Sequence, residues 1–338
     1  MHWNAAAGVG IGMLKRTRKT LWIVAAIVLV LAAALYLRFK APPEAARLLP
    51  ESDGIVYVNL RPLHGVMRKN LKPVLRAPEY QAFIDATGFD WERDLDEAAV
   101  ALHRITDPKS PNFPVAYSMV LVGKLDGKRL AAFLDAHANG KEVYAGHTIY
   151  SLPSEGRTVR VAQIGYDSVA ISNTPTPEQI HSMLDRHRSA ALPFSGSTLL
   201  AEHYSEIPLL SVAWGMGHIG LPFAEDGRIH ILGMALPLGP DSTFLASVHW
   251  AGAIKLRIEE IADTDTTAAS QAANLSLLLD LARGATLGLG PNTANNSLKE
   301  ALRTAQISQQ RNRVVASATL PQSLPIDLLN GGASTPGN

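Results

Sequence analysis

Apolar residues follow three different rhythms along this chain. The first is an unbroken run. From Leu21 to Leu37 no residue is charged, proline or glycine. As a helix, this run would be about 26 Å long, close to the roughly 30 Å hydrocarbon core of a bilayer. Trp22 and Tyr36 stand near its two ends, where amphipathic rings favour the headgroup level. Ala32-Ala33-Ala34 offers a small-residue site for signal cleavage, but Leu35-Tyr36-Leu37 continue the apolar block beyond it. The segment therefore reads as an uncleaved transmembrane helix over 21–37.

Beyond the run, alternation and helical spacing take turns. "GIVYVNL" (54–60), "EAAVALHRI" (97–105) and "PVAYSMVLVGKL" (114–125) have the β-branched content and spacing of strands. "RPLHGVMRKNLKPVLRAPEYQAFIDATG" shows helical spacing, interrupted near Pro73 and resumed at Pro78, a favourable first-turn position. Asp126 is positioned to cap a helix carrying Leu130, Phe133, Leu134 and His137 on one stripe. A meander follows over 142–173, in which "EVYAGHTIYSL", "RTVRVAQI" and "DSVAIS" are separated by turn-length connections, and then a helix over 174–188. After a break at "SAALPFSGS", strands are expected at 209–216, 228–236, 243–251, 254–261 and 313–320. Helices are expected over 264–284, ending at Gly284, near 297–306, and at "SLPIDLL".

Runs of strands interleaved with helices, without βαβ alternation, predict an α+β protein of antiparallel sheets backed by helices. The organisation expected is a cytoplasmic N-terminus (1–20), the span (21–37), a tether (38–50), two α+β parts (51–190 and 191–330) and a disordered tail (331–338). Both parts use antiparallel strands with helices behind them, which points to two related halves, although no fixed period connects them.

Charge sharpens this picture. Six of the chain's 31 basic side chains and none of its 30 acidic ones lie in residues 1–40, which leaves 41–338 with a net charge of −5. A mildly acidic body lacks the basic footprint of a nucleic-acid binder. Lys15, Arg16, Arg18 and Lys19 precede the span, and Arg38, Lys40 and Arg47 follow it. That modest excess places the N-terminus in the cytoplasm and the body outside it, at the inner membrane with the body in the periplasm or extracellular space. Residues 1–12 show no periodicity, and Met13 opens a basic N-region that would serve equally as a start. The tether of 38–50 reaches at most about 45 Å, which keeps the body near the bilayer. With no cysteine in the chain, disulfides and thiolate chemistry are excluded.

"LLPESDGIVYVNLRPL" after an anchor and tether, then "TGFDWERDLDEAAVALHRI" and a closing "RNRVVASATLPQSLPIDLL", resembles an uncharacterised bacterial family of single-pass membrane-anchored extracytoplasmic proteins. The resemblance covers most of residues 20–330. It implies a fold and a place outside the membrane, and no activity or catalytic residue.

Several motifs approach chemistry without completing it. "GMGHIG" (215–220) matches the dinucleotide-binding pattern, with Asp241 at a ribose-like distance along the chain. That mechanism needs a helix opening after the glycines, and Leu221-Pro222-Phe223 follow instead, so a glycine-rich strand end is expected and no cofactor. Ser195, Ser197 and His203 are the candidates for a hydrolase, but they lack the G-x-S-x-G elbow, and Ser197 or Thr198 equally suits a helix cap. His181 and Asp185 share a helical face while His187 points away, and no metal-ligand spacing is complete, so no metal is expected. The acidic runs "DWERDLDE" (90–97) and "EEIADTD" (259–265) lack the ligand alternation of a calcium loop. One basic amphipathic stretch remains: Arg68, Lys72 and Arg76 fall four apart, opposite Met67, Leu71 and Val74 or Leu75, as a surface for anionic headgroups would.

The sequence thus favours binding or scaffolding over catalysis. Its expected partners are the bilayer, through 21–37, and an envelope protein. The alternative is an extracytoplasmic hydrolase whose site is assembled only by the fold.

Overall fold

The computed structural model describes residues 10–70, 77–105, 115–154, 156–189, 196–218, 230–231, 234–235, 242–250, 252–286, 288 and 293–321. The chain divides into two units, Met1–Ala41 and Pro42–Asn338. The first contains one helix, α1 (Gly10–Lys40). Ten of its large apolar side chains, from Trp22 to Tyr36, are 53–72 % exposed. Among the described residues no helix is long and apolar enough to cross a membrane. Within 21–37 the side chains of residues 21, 34 and 37 lie outside the described ones.

The second unit opens with α2 (Glu44–Arg47), β1 (Gly54–Asn59), α3 (Arg61–Asn70), α4 (Pro78–Thr87), α5 (Trp91–Asp94), β2 (Leu95–Arg104) and β3 (Val115–Gly123). It continues with α6 (Gly127–His137), β4 (Gly140–Tyr144), β5 (His147–Ser154), β6 (Arg157–Gln163), β7 (Ser168–Ser172) and α7 (Glu178–Arg188). Then come α8 (Thr198–His203), β8 (Ser211–His218), β9 (His230–Ile231), β10 (Met234–Ala235), β11 (Thr243–Trp250) and β12 (Ile254–Ile261). The described part ends with α9 (Asp265–Thr286), α10 (Thr293–Thr304), β13 (Gln306–Gln310) and β14 (Arg313–Leu320).

Local chemistry sets many of these boundaries. Asp126 caps α6 by accepting from the backbone of Lys128 and Arg129. Pro78 opens α4, and Gly88 closes it in the left-handed conformation. The acidic run at 90–97 is a capping device: Asp90 accepts from Glu92 N–H, and Asp94 accepts from Asp90 N–H.

Several elements differ from the sequence expectation. Ala145 and Gly146 both have positive φ (51° and 84°), so the segment expected as one strand is instead the β4–β5 hairpin. The expected strand at 228–236 is represented by the short pair β9–β10, a separate two-stranded sheet. Helix α9 runs through Gly284 to Thr286, because the Arg283 guanidinium ties its last turn to the carbonyls of Leu302 and Ala305. Strand β13 was not expected; of its side chains only Ile307 is partly buried, and the polar remainder suits a sheet edge. Residues 44–50 of the expected tether fold into the body, with Ala45, Ala46, Leu48 and Leu49 at most 2 % exposed. The "SLPIDLL" segment and the tail lie outside the described residues.

Twelve strands form one antiparallel sheet in the order β13-β14-β12-β11-β8-β1-β2-β3-β7-β6-β5-β4. Read outward from the centre, the two halves of the chain repeat one plan. Each enters through a short helix (α2 or α8) and lays down three successive strands (β1-β2-β3 or β8-β11-β12). Each then crosses by helix and returns its last strand beside the third, β7 beside β3 and β14 beside β12. The halves meet where β1 pairs with β8, with Tyr57 directly opposite Trp214.

Helices α2, α7 and α8 cover one face of the sheet, here the closed face. A cross-strand row of Trp214, Tyr57, Ala99, Val120, Ala170, Ala162 and Ile149 lies beneath them. The alanines in this row are fully buried, and their small size lets Ile180, Met183 and Leu184 of α7 and Leu199 and Leu200 of α8 reach the sheet. Trp214 stacks on Tyr57 with centroids 5.3 Å apart and meets Tyr204 edge-on at 5.5 Å. Replacing Trp214 with alanine should therefore cost about 3–5 kcal/mol. Because one core spans both halves, chemical denaturation of the variant should show a single transition at lower denaturant. Two separated transitions would mean that the halves fold independently.

Candidate binding site

Of the residues singled out for catalysis, Ser197 and His203 are occupied structurally. Ser197 is fully buried and caps α8, accepting from Leu200 N–H at 3.4 Å. His203 pairs through Nδ1 with Glu206 at 3.1 Å, and Glu206 meets Arg313, which also reaches Glu259 at 3.3 Å. Burial pushes the Glu206 carboxyl up, but its bonds to Arg313 and His203 outweigh that and hold it below the usual range. These contacts fasten α8 to β12 and β14. Ser195 lies outside the described residues. His181 Nε2 lies 2.8 Å from Glu142 Oε1, with the His181 ring stacked on Tyr144, whose hydroxyl donates to Asp185 at 2.8 Å. Among the described residues no three His, Asp or Glu side chains gather as metal ligands. Of the basic trio, Arg68 lies in α3 without a described side chain, and Lys72 and Arg76 lie outside the described residues.

A serine–histidine contact does form elsewhere, between residues the sequence did not single out. His103 Nε2 lies 3.0 Å from Ser118 Oγ, which continues to Ser172 Oγ at 3.2 Å and on to Thr174 Oγ1 at 2.9 Å. The other partner of the His103 ring is the backbone of Glu51. Ser118 has no exposed surface, so no substrate carbonyl can reach its oxygen in the folded state. This chain is a buried polar seam of the closed face, with each hydroxyl satisfied by the next. Burial drives the His103 imidazole below its ordinary 6.5, against the opposing effects of Asp53 and the Glu51 backbone.

The opposite face is where the geometry is unusual. Helices α4, α5 and α6 pack over one end of it, on β3, β7 and β6, and α9 and α10 pack over the other, near β13 and β14. Between them the sheet carries three adjacent apolar rows. The central row is Ile171, Met119, Val100, Val56, Gly215, Ala246 and Ile258, each directly opposite the next across neighbouring strands. Leu121, Ala98, Val58, Ala213, Val248 and Leu256 flank it on one side, and Tyr117, Leu102, Gly54, Gly217 and Phe244 on the other. Val56 is 39 % exposed and Ile258 37 %, whereas Ile55 and Tyr57 on the closed face are 0 % and 4 % exposed. Among the described residues, these strands are packed by helices on one side, and on the other Val56 and Ile258 stay exposed at the middle of the sheet.

Two recesses mark this open face. A trough of about 170 Å³ follows β1 and β8, where Gly54, Gly215 and Gly217 carry no side chain and Val56, Leu102, Phe244 and Ala246 form the walls. The second, of about 150 Å³, lies under α4, α5 and α6, among Phe83, Phe89, Trp91, Phe133, Leu152 and Ile171. Its rings pack against one another, Phe83 on Trp91 at 6.0 Å, Phe89 edge-on to Trp91 at 4.9 Å, and Phe133 edge-on to Phe83 at 5.3 Å.

The structure also explains the glycines of "GMGHIG". Gly215 and Gly217 lie in β8, while Gly220 lies outside the described residues; Gly217 pairs with Gly54, where a Cβ would sit 2.5 Å from the Asp53 carbonyl oxygen and 2.6 Å from Gly54 Cα. Close strand approach requires that glycine. At Gly215 a Cβ would meet only ordinary contacts, 3.4 Å and 3.7 Å from Ile55 O and Val56 Cγ2. The sequence did carry a signal of the open face: "GIVYVNL" is apolar at both parities, as a strand with two apolar faces must be. It held no sign that one of those faces is uncovered.

No protein-family model matches the chain, and no curated protein matches it. Among solved structures, crystal forms III, I and IV of TP0453 are similar, at 11 %, 11 % and 10 % identity with TM-scores of 0.44, 0.42 and 0.46. They cover 86 %, 86 % and 88 % of this chain and 99 %, 98 % and 99 % of theirs. Likeness at that level carries no argument about ligand or activity.

Two outcomes follow. Gly217→Val should push β1 from β8 and destabilise the fold by about 1–3 kcal/mol or more, while Gly215→Ala is tolerated, as thermal melts of the two variants would report. For His103, the unfolded chain takes up a proton before the folded one does as pH falls. Its contribution to stability is therefore complete above about 6.5 and lost below it, with a slope of at most about 1.4 kcal/mol per pH unit. Denaturation midpoints between pH 7.5 and 5 should show that loss, and His103→Gln should flatten it.

Proposed function

We propose that the protein is a single-pass, membrane-anchored binding protein whose body lies outside the cytoplasm and takes an apolar ligand or partner on the open face of its sheet. The observation that carries the anchor is the exposure of ten large apolar side chains along α1, from Trp22 to Tyr36. In water each would forgo about 1.5–3 kcal/mol of burial, so the helix needs an apolar surrounding, and the uninterrupted sequence from Leu21 to Leu37 has the length of a bilayer core. The flanking charges Lys15, Arg16, Arg18 and Lys19 favour a cytoplasmic N-terminus. The resemblance to a membrane-anchored extracytoplasmic bacterial family supports the same topology. Binding is favoured over catalysis because the serine–histidine contact is sealed within the core, while the two recesses of the open face are lined mainly by apolar side chains. Arg68, Lys72 and Arg76 are assigned to contact with anionic headgroups.

Under this reading the protein stays in the membrane pellet after alkaline extraction, and deleting residues 21–37 releases it. A reporter active only outside the cytoplasm, fused after Asn338, should be active. The mature mass should retain 21–37. A mass matching cleavage after Ala34, or a fusion active only inside the cell, would overturn it. Changing Arg68, Lys72 and Arg76 together to glutamine should weaken the salt-sensitive binding of the span-deleted chain to anionic vesicles, each charge contributing about 1 kcal/mol.

A further inference from the structure

We propose that the open face seats a single hydrocarbon chain, the acyl chain of a bilayer lipid, lying across the strands from the aromatic recess under α4–α6 to the glycine trough on β1 and β8. The proposal rests on the anchored reading above and names the ligand of its site.

The chemistry of the surface selects the occupant. Every strand beneath the path is hydrogen-bonded on both sides, so its backbone has no free ladder group to offer. The side chains of the three rows are apolar from β3 to β11 apart from the hydroxyl of Tyr117. A polypeptide or sugar laid on this surface would leave its own donors and acceptors unpaired, whereas a methylene chain has none to lose. Among the described residues lining the two recesses, His218 at the trough and Thr87 and Asp126 at the recess carry polar groups for a headgroup.

Dimensions agree with that chemistry. The recess reaches Ile171 on β7, the trough reaches Val56 on β1, and Met119 and Val100 join them in one row. Three inter-strand steps separate the two ends, about 14 Å at the usual strand spacing. One leaflet of a bilayer's hydrocarbon core is about 15 Å deep, so an extended acyl chain matches the path from end to end. Each recess has about the volume of an apolar cavity that accepts a benzene-sized group, enough to hold a short run of carbons. The trough exists because Gly54 and Gly215 carry no side chain although the backbone there would accept one: a Cβ at either would meet nothing nearer than 3.4 Å.

The test uses the full chain reconstituted in bilayers containing a phosphatidylcholine with a photoreactive diazirine midway along one acyl chain. After irradiation, adducts are mapped by peptide mass spectrometry. Adducts are expected on β1, β3 and β11 in addition to residues 21–37. Gly215→Leu and Ala246→Phe, which fill the trough from two different strands, should each lower the strand adducts by about fivefold or more through lost carbon contacts. Adducts on 21–37 and the cooperative melt should stay unchanged. Wild-type adducts confined to 21–37 would overturn the acyl seat and leave the anchor intact. So would strand adducts undiminished in both variants, or a photoreactive residue placed at Val56 cross-linking to a polypeptide. Strand adducts without any on 21–37 would instead overturn the anchor and keep the seat.

Discussion

Where β1 lies against β8, the two halves of the chain share a single antiparallel pair, and Tyr57 stacks on Trp214 across it. Each half alone would expose its first strand as an unpaired apolar edge, with Ile55 and Tyr57 on one side or Trp214 and Met216 on the other. Joined, they make one closed-face core into which helices from both halves pack, α2 and α7 from the first and α8 from the second. Burial and the Glu97 carboxylate both push the Tyr57 phenol well above its ordinary range, so the ring at this junction keeps its proton and stays neutral. The order of strands outward from the junction follows the same plan on both sides, and this gives the body its pseudo-twofold character.

That junction also divides the work of the two faces. On the closed face, alanines at 99, 101, 162 and 170 bring helices down onto the sheet and leave no exposed surface. On the open face, the described helices sit over the two ends, and the middle of the sheet exposes Val56 and Ile258. The strands are held from one side, so the other side is free to be a surface for a ligand. The same economy explains the polar seam of His103, Ser118, Ser172 and Thr174: on the packed face these groups must satisfy one another, and they have no opening through which to act on a substrate.

Local signals carried much of the architecture. Asp126, Pro78, Gly88 and Ser197 act through bonds within a few residues of themselves, so the ends of α4, α6 and α8 could be read from the chain. Strands with strong β-branched content, β1, β3, β11 and β12, were legible for the same reason. The β4–β5 hairpin was missed because Ala145 disguises a positive-φ turn position. Strand β13 was missed because an edge strand needs few apolar residues, and the end of α9 because the Arg283 bonds that hold its last turn reach another helix.

By itself the sequence determined an α+β protein, an apolar run of bilayer length ahead of an acidic body, and the absence of thiol chemistry. Each of these depends only on residue type and near-neighbour spacing. Only the tertiary structure decided which strands are neighbours, because pairing β1 with β8 joins residues more than 150 positions apart. It alone set His103 against Ser118 and sealed both. And it alone left Val56 of β1 exposed: alternation marks which side chains share a face, but what covers that face depends on where distant helices come to rest.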